Sequence, residues 1–141
     1  MAEITREELL ARYDAGERDL SGMDLSKIVF GTCVLNSCIF REVNFSYADF
    51  SNYAKIMYCD FRNANFFRAN LSCCAFSGSD FTGANLREVY FKGTEGIGCT
   101  FINVDFTGAK GGIGTEGRGT FRNFINSSSQ FIIGREEIDD R

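Results

Sequence analysis

The chain has 141 residues, enough for one domain with one core. It carries 19 acidic and 15 basic residues, a net charge of −4, and this mild acidity argues against direct nucleic-acid binding. No run approaches the roughly 20 apolar residues of a membrane span, and MAEITREELL lacks the apolar core of a secretory signal, so we expect a cytoplasmic protein that does not bind a membrane. The absence of His removes the commonest acid–base group and metal ligand.

Residues 1–17 are predicted to form a capping helix. Thr5 and Glu8 have the spacing of a capping box at a helix start. A helix over about residues 6 to 15 follows, and Gly16 suits the position just beyond its end. Because stacked repeats need a cover at each open end, we expect this helix to cover the repeats that follow it.

Large apolar residues recur every five positions over residues 18–110. This lattice slips by one residue after Phe50, and 11 of the 15 Phe lie on it. Phe121 and Phe131 keep the same register beyond residue 110, and only Phe67 and Phe124 fall outside it. Two positions before each lattice residue the chain is small or β-branched, and one position before it Asp or Asn recurs. A polar residue and often Gly follow the lattice residue. The lattice positions are Leu20, Leu25, Phe30, Leu35, Phe40, Phe45, Phe50, Ile56, Phe61, Phe66, Leu71, Phe76, Phe81, Leu86, Phe91, Gly96, Phe101 and Phe106.

A period of five is neither helical nor that of a plain strand. Residues two apart on an extended backbone face the same side, so the small residue and the large lattice residue both point inward. The polar pair after them supplies a turn. Each pentapeptide is therefore predicted to be one very short strand plus one corner, and successive coils should stack about 4.8 Å apart.

The segments NANFFRANL, SDFTGANL and RDLSGMDL resemble the pentapeptide-repeat family, whose pattern is A-(D/N)-L/F-x-x. The resemblance covers about residues 18 to 110. It implies an all-β fold, a right-handed quadrilateral parallel β-helix with four pentapeptides in each coil. The phrase ELLARYDAGERDLSG is similar to many cyanobacterial members, so a bacterial source is expected.

The pattern is interrupted in three places. One extra residue in SNYAK, between Phe50 and Ile56, predicts a corner bulge. Gly96 replaces a large lattice residue, which predicts a protruding loop or a loose corner. Residues 111–141 begin with a Gly-rich segment, and the sequence leaves open whether they form a further coil, a cap or a disordered tail.

Three patterns could suggest chemistry, and each is better explained by the repeat. Residues 112–117 match G-x-G-x-x-G but lack the strand and helix of a dinucleotide site. Five of the six Cys lie in the small inward slot and only Cys73 points outward, with no C-x-x-C pair to bind zinc. The recurring Asp and Asn suit bonds to the local backbone. We therefore expect no catalytic residue, cofactor, metal or small-molecule substrate, and a protein that is not an enzyme.

Taking every fourth repeat assigns residues to faces, and one face carries an unusual set of side chains. Tyr47, Phe67, Arg68 and Arg87 should lie there, together with Lys27 and Glu88. Phe67 is the only Phe in an outward corner slot, and aromatic residues and Arg are enriched in protein interfaces. These four residues are the predicted partner-binding site, although a lone exposed aromatic is also ordinary on protein surfaces.

The sequence favours a rigid module that binds an unidentified protein partner. The alternative that the resemblance implies is a DNA-mimicking protein that interacts with DNA gyrase and confers quinolone resistance. Such members are long acidic rods that dimerise through a C-terminal helix. This chain is short and weakly charged, and its tail FIIGREEIDDR is too short to predict that helix.

Overall fold

The computed structural model describes residues 4–126 and the backbone of residues 131–132. After an N-terminal helix, the described chain winds into a right-handed parallel β-helix with four faces, which confirms the predicted fold class. Large apolar side chains fill its axis, and polar side chains cover most of its outer surface.

Backbone pairing runs along four parallel ladders, one on each face. In each ladder the residue that precedes a core residue bridges to its counterpart in the next coil, and we name each ladder by its first residue. The Asp19 ladder contains Asp19, Ile39, Asp60, Asp80, Thr100 and Thr120, and the Asp24 ladder contains Asp24, Asn44, Asn65, Asn85, Asp105 and Ile125. The Val29 ladder contains Val29, Asp49, Asn70, Tyr90 and Lys110, and the Val34 ladder contains Val34, Lys55, Ala75, Glu95 and Gly114.

Most ladder steps are single-residue bridges, as expected for strands that end at a corner after two or three residues. Longer pairing defines the strands β1 (Thr94–Glu95), β2 (Thr100–Ile102), β3 (Gly111–Gly114), β4 (Thr120–Arg122) and β5 (Phe131–Ile132). β1, β3 and β5 form one parallel sheet, and β2 pairs in parallel with β4.

The helix α1 spans Arg6–Asp14. The Thr5 hydroxyl accepts a bond from the Glu8 amide at 3.1 Å, as its position in the capping pattern predicted. Gly16, with φ +98°, follows the C-cap residue Ala15. No helix in the described part of the chain is long and apolar enough to cross a membrane.

α1 lies against the first coil. Leu9 is fully buried in the common core. The Arg6 guanidinium donates to the Phe30 carbonyl, and the Tyr13 hydroxyl donates to the Asn36 carbonyl at 3.2 Å. First-coil carbonyls have no preceding coil to pair with, so these side chains satisfy acceptors that would otherwise lack a protein partner.

The core consists of stacked aromatic rings. Phe30 and Phe50, in successive coils, stack with centroids 4.2 Å apart, and Phe45 and Phe66 stack at 4.9 Å. Phe61 meets Phe66 of the same coil edge-on at 5.3 Å. Offset stacking between coils and edge-to-face contact within a coil are the arrangements that aromatic pairs prefer.

The corners are built by one repeated hydrogen bond. The side-chain oxygen of the Asp or Asn before a core residue accepts a bond from the amide two residues later. The predicted local role of these side chains is thereby confirmed for Asp19, Asp24, Asn44, Asp49, Asp60, Asn65, Asn70, Asp80, Asn85 and Asp105. The second residue of the corner usually has positive φ, which explains the frequent Gly there.

The extra residue of SNYAK is absorbed at a corner, as predicted. Asn52 and Tyr53 are both exposed there. The ladder spacing therefore changes from 20 residues, between Val29 and Asp49, to 21 residues, between Val34 and Lys55. The core pattern resumes without a gap because the added residue lies outside the coil.

The expectation of a loop or loose corner at Gly96 is wrong. Gly96 is buried and continues the coil, and its amide donates to the Gly114 carbonyl at 3.0 Å. A Cβ at Gly96 would lie only 2.6 Å from Cγ2 of Ile113. The side chain from the next coil thus occupies the space that a large residue at position 96 would fill.

Residues 111–126 continue the ladders. Thr115 and Phe121 are buried, and Phe121 stacks on Phe101 at 4.8 Å. Residues 111–126 therefore form a further coil, which is one of the three alternatives for the C-terminal segment. The alternatives for residues 127–130 and 133–141, which include all of the tail FIIGREEIDDR except its first two residues, lie outside the described residues.

Candidate protein-interaction surface

The structure brings the four predicted partner-binding residues together on the face of the Asp24 ladder. The Tyr47 amide donates to the Phe67 carbonyl at 2.9 Å, and the Arg68 amide donates to the Arg87 carbonyl at 3.1 Å. These residues therefore occupy three successive coils, with Tyr47 in the first, Phe67 and Arg68 in the second, and Arg87 in the third. We call these four residues the aromatic–arginine strip. Lys27 lies one coil before it, where its amide donates to the Ser46 carbonyl.

The side chains of the strip contact one another. The Tyr47 and Phe67 rings meet edge to face, with centroids 5.9 Å apart and planes at 85°. The guanidinium groups of Arg68 and Arg87 lie 5.4 and 5.8 Å from the Phe67 centroid. Such cation–π geometry holds the cations beside the ring, and Tyr47 stays 47% exposed.

The two arginines of the strip differ in their ionic partners. Arg68 Nε donates to Glu88 Oε1 at 3.1 Å, and this bond raises the pKa of Arg68. Arg87 has no ion pair with any residue that the structure describes. The strip therefore presents one guanidinium whose charge is free to meet a carboxylate of a partner.

Two residues of the strip adopt backbone conformations that bulky side chains seldom take. Tyr47 has φ +60° and Arg68 has φ +56°, both in the left-handed region. Gly takes the same corner position in the later coil, at Gly108. Large side chains at such positions carry a small conformational cost, which the strip shares with corners on other faces such as Tyr53 and Tyr58.

Grooves flank the strip on both sides, and the sequence did not predict them. Beside Arg87, a groove of about 570 Å³ runs over Gly83 to Phe124. Beside Arg68 and Glu88, a groove of about 400 Å³ runs over Gly108. Both form where a glycine corner lies next to corners with larger side chains, and this depends on which repeats become neighbours in successive coils.

The burial of the six cysteines agrees with the predicted inward and outward positions except at one residue. Cys38, Cys59, Cys74 and Cys99 are buried and Cys73 is exposed, whereas Cys33 is half-buried. Burial raises the pKa of Cys99 to about 12, which leaves this thiol unreactive at neutral pH.

Cys38 and Cys59 contact each other between two successive coils. The Cys38 amide donates to Cys59 Sγ at 3.4 Å. Hydrogen bonding to Cys38, reinforced by burial, raises the pKa of Cys59 far above that of a free thiol. The pair therefore behaves as part of the core.

The other segments considered for chemistry are built into the coil. Residues 112–117 run through β3 into a turn, and the described residues 118–126 that follow form no helix to hold a phosphate. Among the residues described, no three His, Cys, Asp or Glu side chains cluster closely enough to hold a metal ion.

The fold defines a class: a repeat solenoid with a filled core and a helical cap. The chain belongs to the pentapeptide-repeat family. The family model, described as pentapeptide repeats, matches eight copies over residues 19–52, 54–83 and 76–110. No curated protein matches the sequence.

Solved structures of the same family resemble the chain. Full-length QnrB1, a plasmid-mediated fluoroquinolone resistance protein, is 25% identical with a TM-score of 0.57, over 67% of this chain and 46% of QnrB1. The pentapeptide-repeat protein alr5209 from Nostoc PCC 7120 is 21% identical with a TM-score of 0.51, over 86% of this chain and 94% of alr5209.

A pentapeptide-repeat protein from the Arabidopsis thaliana thylakoid lumen is 30% identical with a TM-score of 0.41, over 66% of this chain and 61% of that protein. The chain thus spans about half the length of QnrB1 and less than two thirds of the Arabidopsis protein.

Proposed function

We propose that this protein is a non-enzymatic interaction module that binds a protein partner through the aromatic–arginine strip. The observation that carries the proposal is the contact of Tyr47, Phe67 and two guanidinium groups with one another across consecutive coils of one face. Exposed aromatic and Arg side chains are the residue types that most often dominate binding energy at protein interfaces.

The backbone supports this role because it holds the strip in place before binding. Inter-coil hydrogen bonds fix the amides of Tyr47 and Arg68. A preorganised surface loses little conformational entropy when it binds, so more of the contact energy appears as affinity. The six free Cys fit a reducing compartment, and we place the module in the cytoplasm.

The test begins by identifying the partner through position-specific crosslinking. A photo-crosslinking residue in place of Glu88, beside the strip, should capture the partner in cells of the source organism, whereas one in place of Lys92, on the neighbouring face, should not. The purified partner is then titrated by calorimetry. The double change Phe67→Ala, Arg68→Ala should lower its affinity by about 100-fold or more, since two interface anchors cost about 2 kcal/mol each.

The matched control is Asn52→Ala with Lys92→Ala, which changes two exposed residues on a different face. This variant should bind within about twofold of the parent chain, because residues outside an interface contribute little to affinity. A partner that binds the Phe67→Ala, Arg68→Ala variant as tightly as the parent chain would show that the strip is ordinary surface.

The similarity to QnrB1, a plasmid-mediated fluoroquinolone resistance protein, favours a second candidate. This is the alternative that the family resemblance implies, a DNA-mimicking protein that interacts with gyrase. The described charges support it less well. Asp60 and Asp80 are the one pair of acidic residues adjacent in a ladder, and Arg41 and Arg62 both pair with Asp60. A DNA mimic needs acidic residues in sustained rows. Addition of the chain to a supercoiling assay with gyrase and a fluoroquinolone tests this candidate, and unchanged inhibition would reject it.

A further inference from the structure

The face of the Val34 ladder differs in composition from the other three. Its ladder positions carry no Asp or Asn, and half-buried Met57 and Ile97 lie beside them. Tyr53 and Tyr58 stand at its two edges and are 68% and 65% exposed. The face opposes the aromatic–arginine strip across the coil, because the Val34 and Asp24 ladders lie on opposite sides of a four-sided helix.

The charges on this face are placed symmetrically about its centre. Lys55 lies one coil before Ala75 and Glu95 lies one coil after it in the same ladder. The two charges are therefore about 10 Å apart along the rod axis. Both residues are exposed, and neither forms an ion pair with a described residue.

The same symmetry holds for the other side chains of the face. In the row beside the ladder, Met57 and Ile97 lie one coil either side of Ser77: the Tyr58 amide bonds to the Ser77 carbonyl, and the Gly78 amide bonds to the Ile97 carbonyl. At the two edges, each Tyr is matched by a Gly two coils later. In successive coils, the corner residues at one edge are Tyr53, Cys73 and Gly93, and those at the other edge are Tyr58, Gly78 and Gly98.

We infer that this face binds a second copy of the chain in an antiparallel dimer. The twofold axis lies in the interface, parallel to the short strands, and passes over Ala75 and Ser77. Rotation about that axis places each row of side chains opposite the same row of the second copy, with the coils in reverse order. Lys55 then meets Glu95 of the second copy, Met57 meets Ile97, and each contact occurs twice, as an isologous interface requires. Small side chains lie at the axis, where the two backbones approach most closely.

The edges of the face are also complementary in shape. Tyr53 of one copy faces Gly93 of the other, and Tyr58 faces Gly98, so each large ring lies opposite a corner without a side chain. A groove of about 240 Å³ runs from Tyr53 and Lys55 past Cys73 to Gly93 and Glu95. Its Gly93 end is the place that the Tyr53 ring of the second copy would enter.

The size of the face sets the strength of the dimer. The matched residues cover three coils, about 10 to 15 Å along the rod. A single face of that length is smaller than the roughly 800 Å² per partner of a stable interface, so the dimer is a reversible one with a Kd of tens of micromolar or so. Each dimer would display two aromatic–arginine strips on its outer sides, a consequence that rests on the proposed function.

The test is a charge-reversal series of the full chain in sedimentation equilibrium. The parent chain should change from monomer to dimer over about 5 to 500 µM. Lys55→Glu or Glu95→Lys alone should weaken association by tenfold or more, because like charges then face each other twice. The double change Lys55→Glu, Glu95→Lys should restore it. The Phe67→Ala, Arg68→Ala variant should associate like the parent chain, which separates this inference from the proposed function.

Cys73 provides an independent readout, because each copy places it opposite its own equivalent beside the axis. A short bis-maleimide should link two chains through Cys73 in the parent chain and in the double charge variant, but not in Lys55→Glu or in Cys73→Ser. Circular dichroism checks that each variant is folded. A parent chain that remains monomeric at the highest concentration overturns the inference, and so does a dimer that neither single charge reversal weakens.

Discussion

Phe66 and Phe67 are neighbours in the chain with different environments. Phe66 is fully buried, stacks on Phe45 and contacts Phe61 and Phe81. Phe67 lies at a half-buried corner, against Tyr47 and two guanidinium groups. One step along an extended backbone moves a side chain from the core to the surface, so the two rings should contribute to stability very differently.

Phe66→Ala should lower the free energy of unfolding by about 3 to 5 kcal/mol, because it empties a position that the rigid coils around it cannot refill. Phe67→Ala should lower it by less than about 1 kcal/mol, since this half-buried ring lies at a surface corner and outside the core. Urea denaturation of both variants measures the difference. Equal losses at the two positions would contradict the assignment of inward and outward slots.

At the scale of the single repeat, the Asp or Asn side chain closes the corner, and in one repeat it has an additional ionic role. Asp60 caps its corner by accepting from the Arg62 amide, and it pairs with the Arg62 guanidinium at 2.9 Å and with Arg41 of the preceding coil. Partial burial alone would raise the pKa of Asp60, but the hydrogen bonds from Arg62 and Arg41 outweigh it and hold the pKa well below its usual range.

A carboxylate whose pKa is lowered by folding stabilises the protein above its unfolded pKa, about 3.9, and loses this contribution as the pH falls toward its folded pKa. Asp60→Asn keeps an oxygen for the corner bond but removes the charge. It should cost about 1 kcal/mol at pH 7, since both arginines are partly exposed. Urea denaturation from pH 7 to about pH 2.5 should show the difference from the parent chain shrinking below about pH 4.

The control for this prediction removes both cationic partners. In an Arg41→Gln, Arg62→Gln background, Asp60→Asn should have little effect at any pH, because no ion pair remains to be lost. A cost of Asp60→Asn that is the same with and without the arginines would show that the ion pairs do not contribute to stability.

At the scale of the whole molecule, the core becomes thinner toward the C-terminal coils. The large side chains of earlier coils give way to Gly96, Gly111 and Thr115 at the corresponding positions, and Ile113 packs into the space beside Gly96 and Cys99. In a solenoid each coil contacts only its neighbours, so stability is a sum of local terms and a weak coil opens independently.

Ile113→Ala should lower the free energy of unfolding by about 2 kcal/mol, because it leaves a void beside Gly96. In hydrogen exchange, the effect should appear at the amides of Gly96 and Thr120 and not at the amide of Phe45, several coils away. The matched control is Ile125→Ala, since that side chain is 55% exposed. Uniformly faster exchange along the whole rod would show that the coils unfold together.

The sequence by itself determined the repeat, the inward and outward slots, the helix cap and the corner bulge. These features depend on residues close in the chain, where the alternation of an extended backbone and the chemistry of turns leave few options. The set of residues on the aromatic–arginine strip also followed from counting four repeats in each coil, since the coils that carry the strip have a constant length apart from one insertion.

Only the tertiary structure decided how residues 20 positions apart meet. Ile113 fills the place of a side chain at Gly96 because the Gly-rich segment pairs with β1 at a spacing of 19 residues, a shift that the sequence pattern did not show. The grooves beside the strip and the matched Tyr and Gly corners of the Val34 face likewise arise between coils. Contact between coils depends on register, side-chain volume and direction together, and a periodic pattern specifies direction but not how volume and register combine at a single residue.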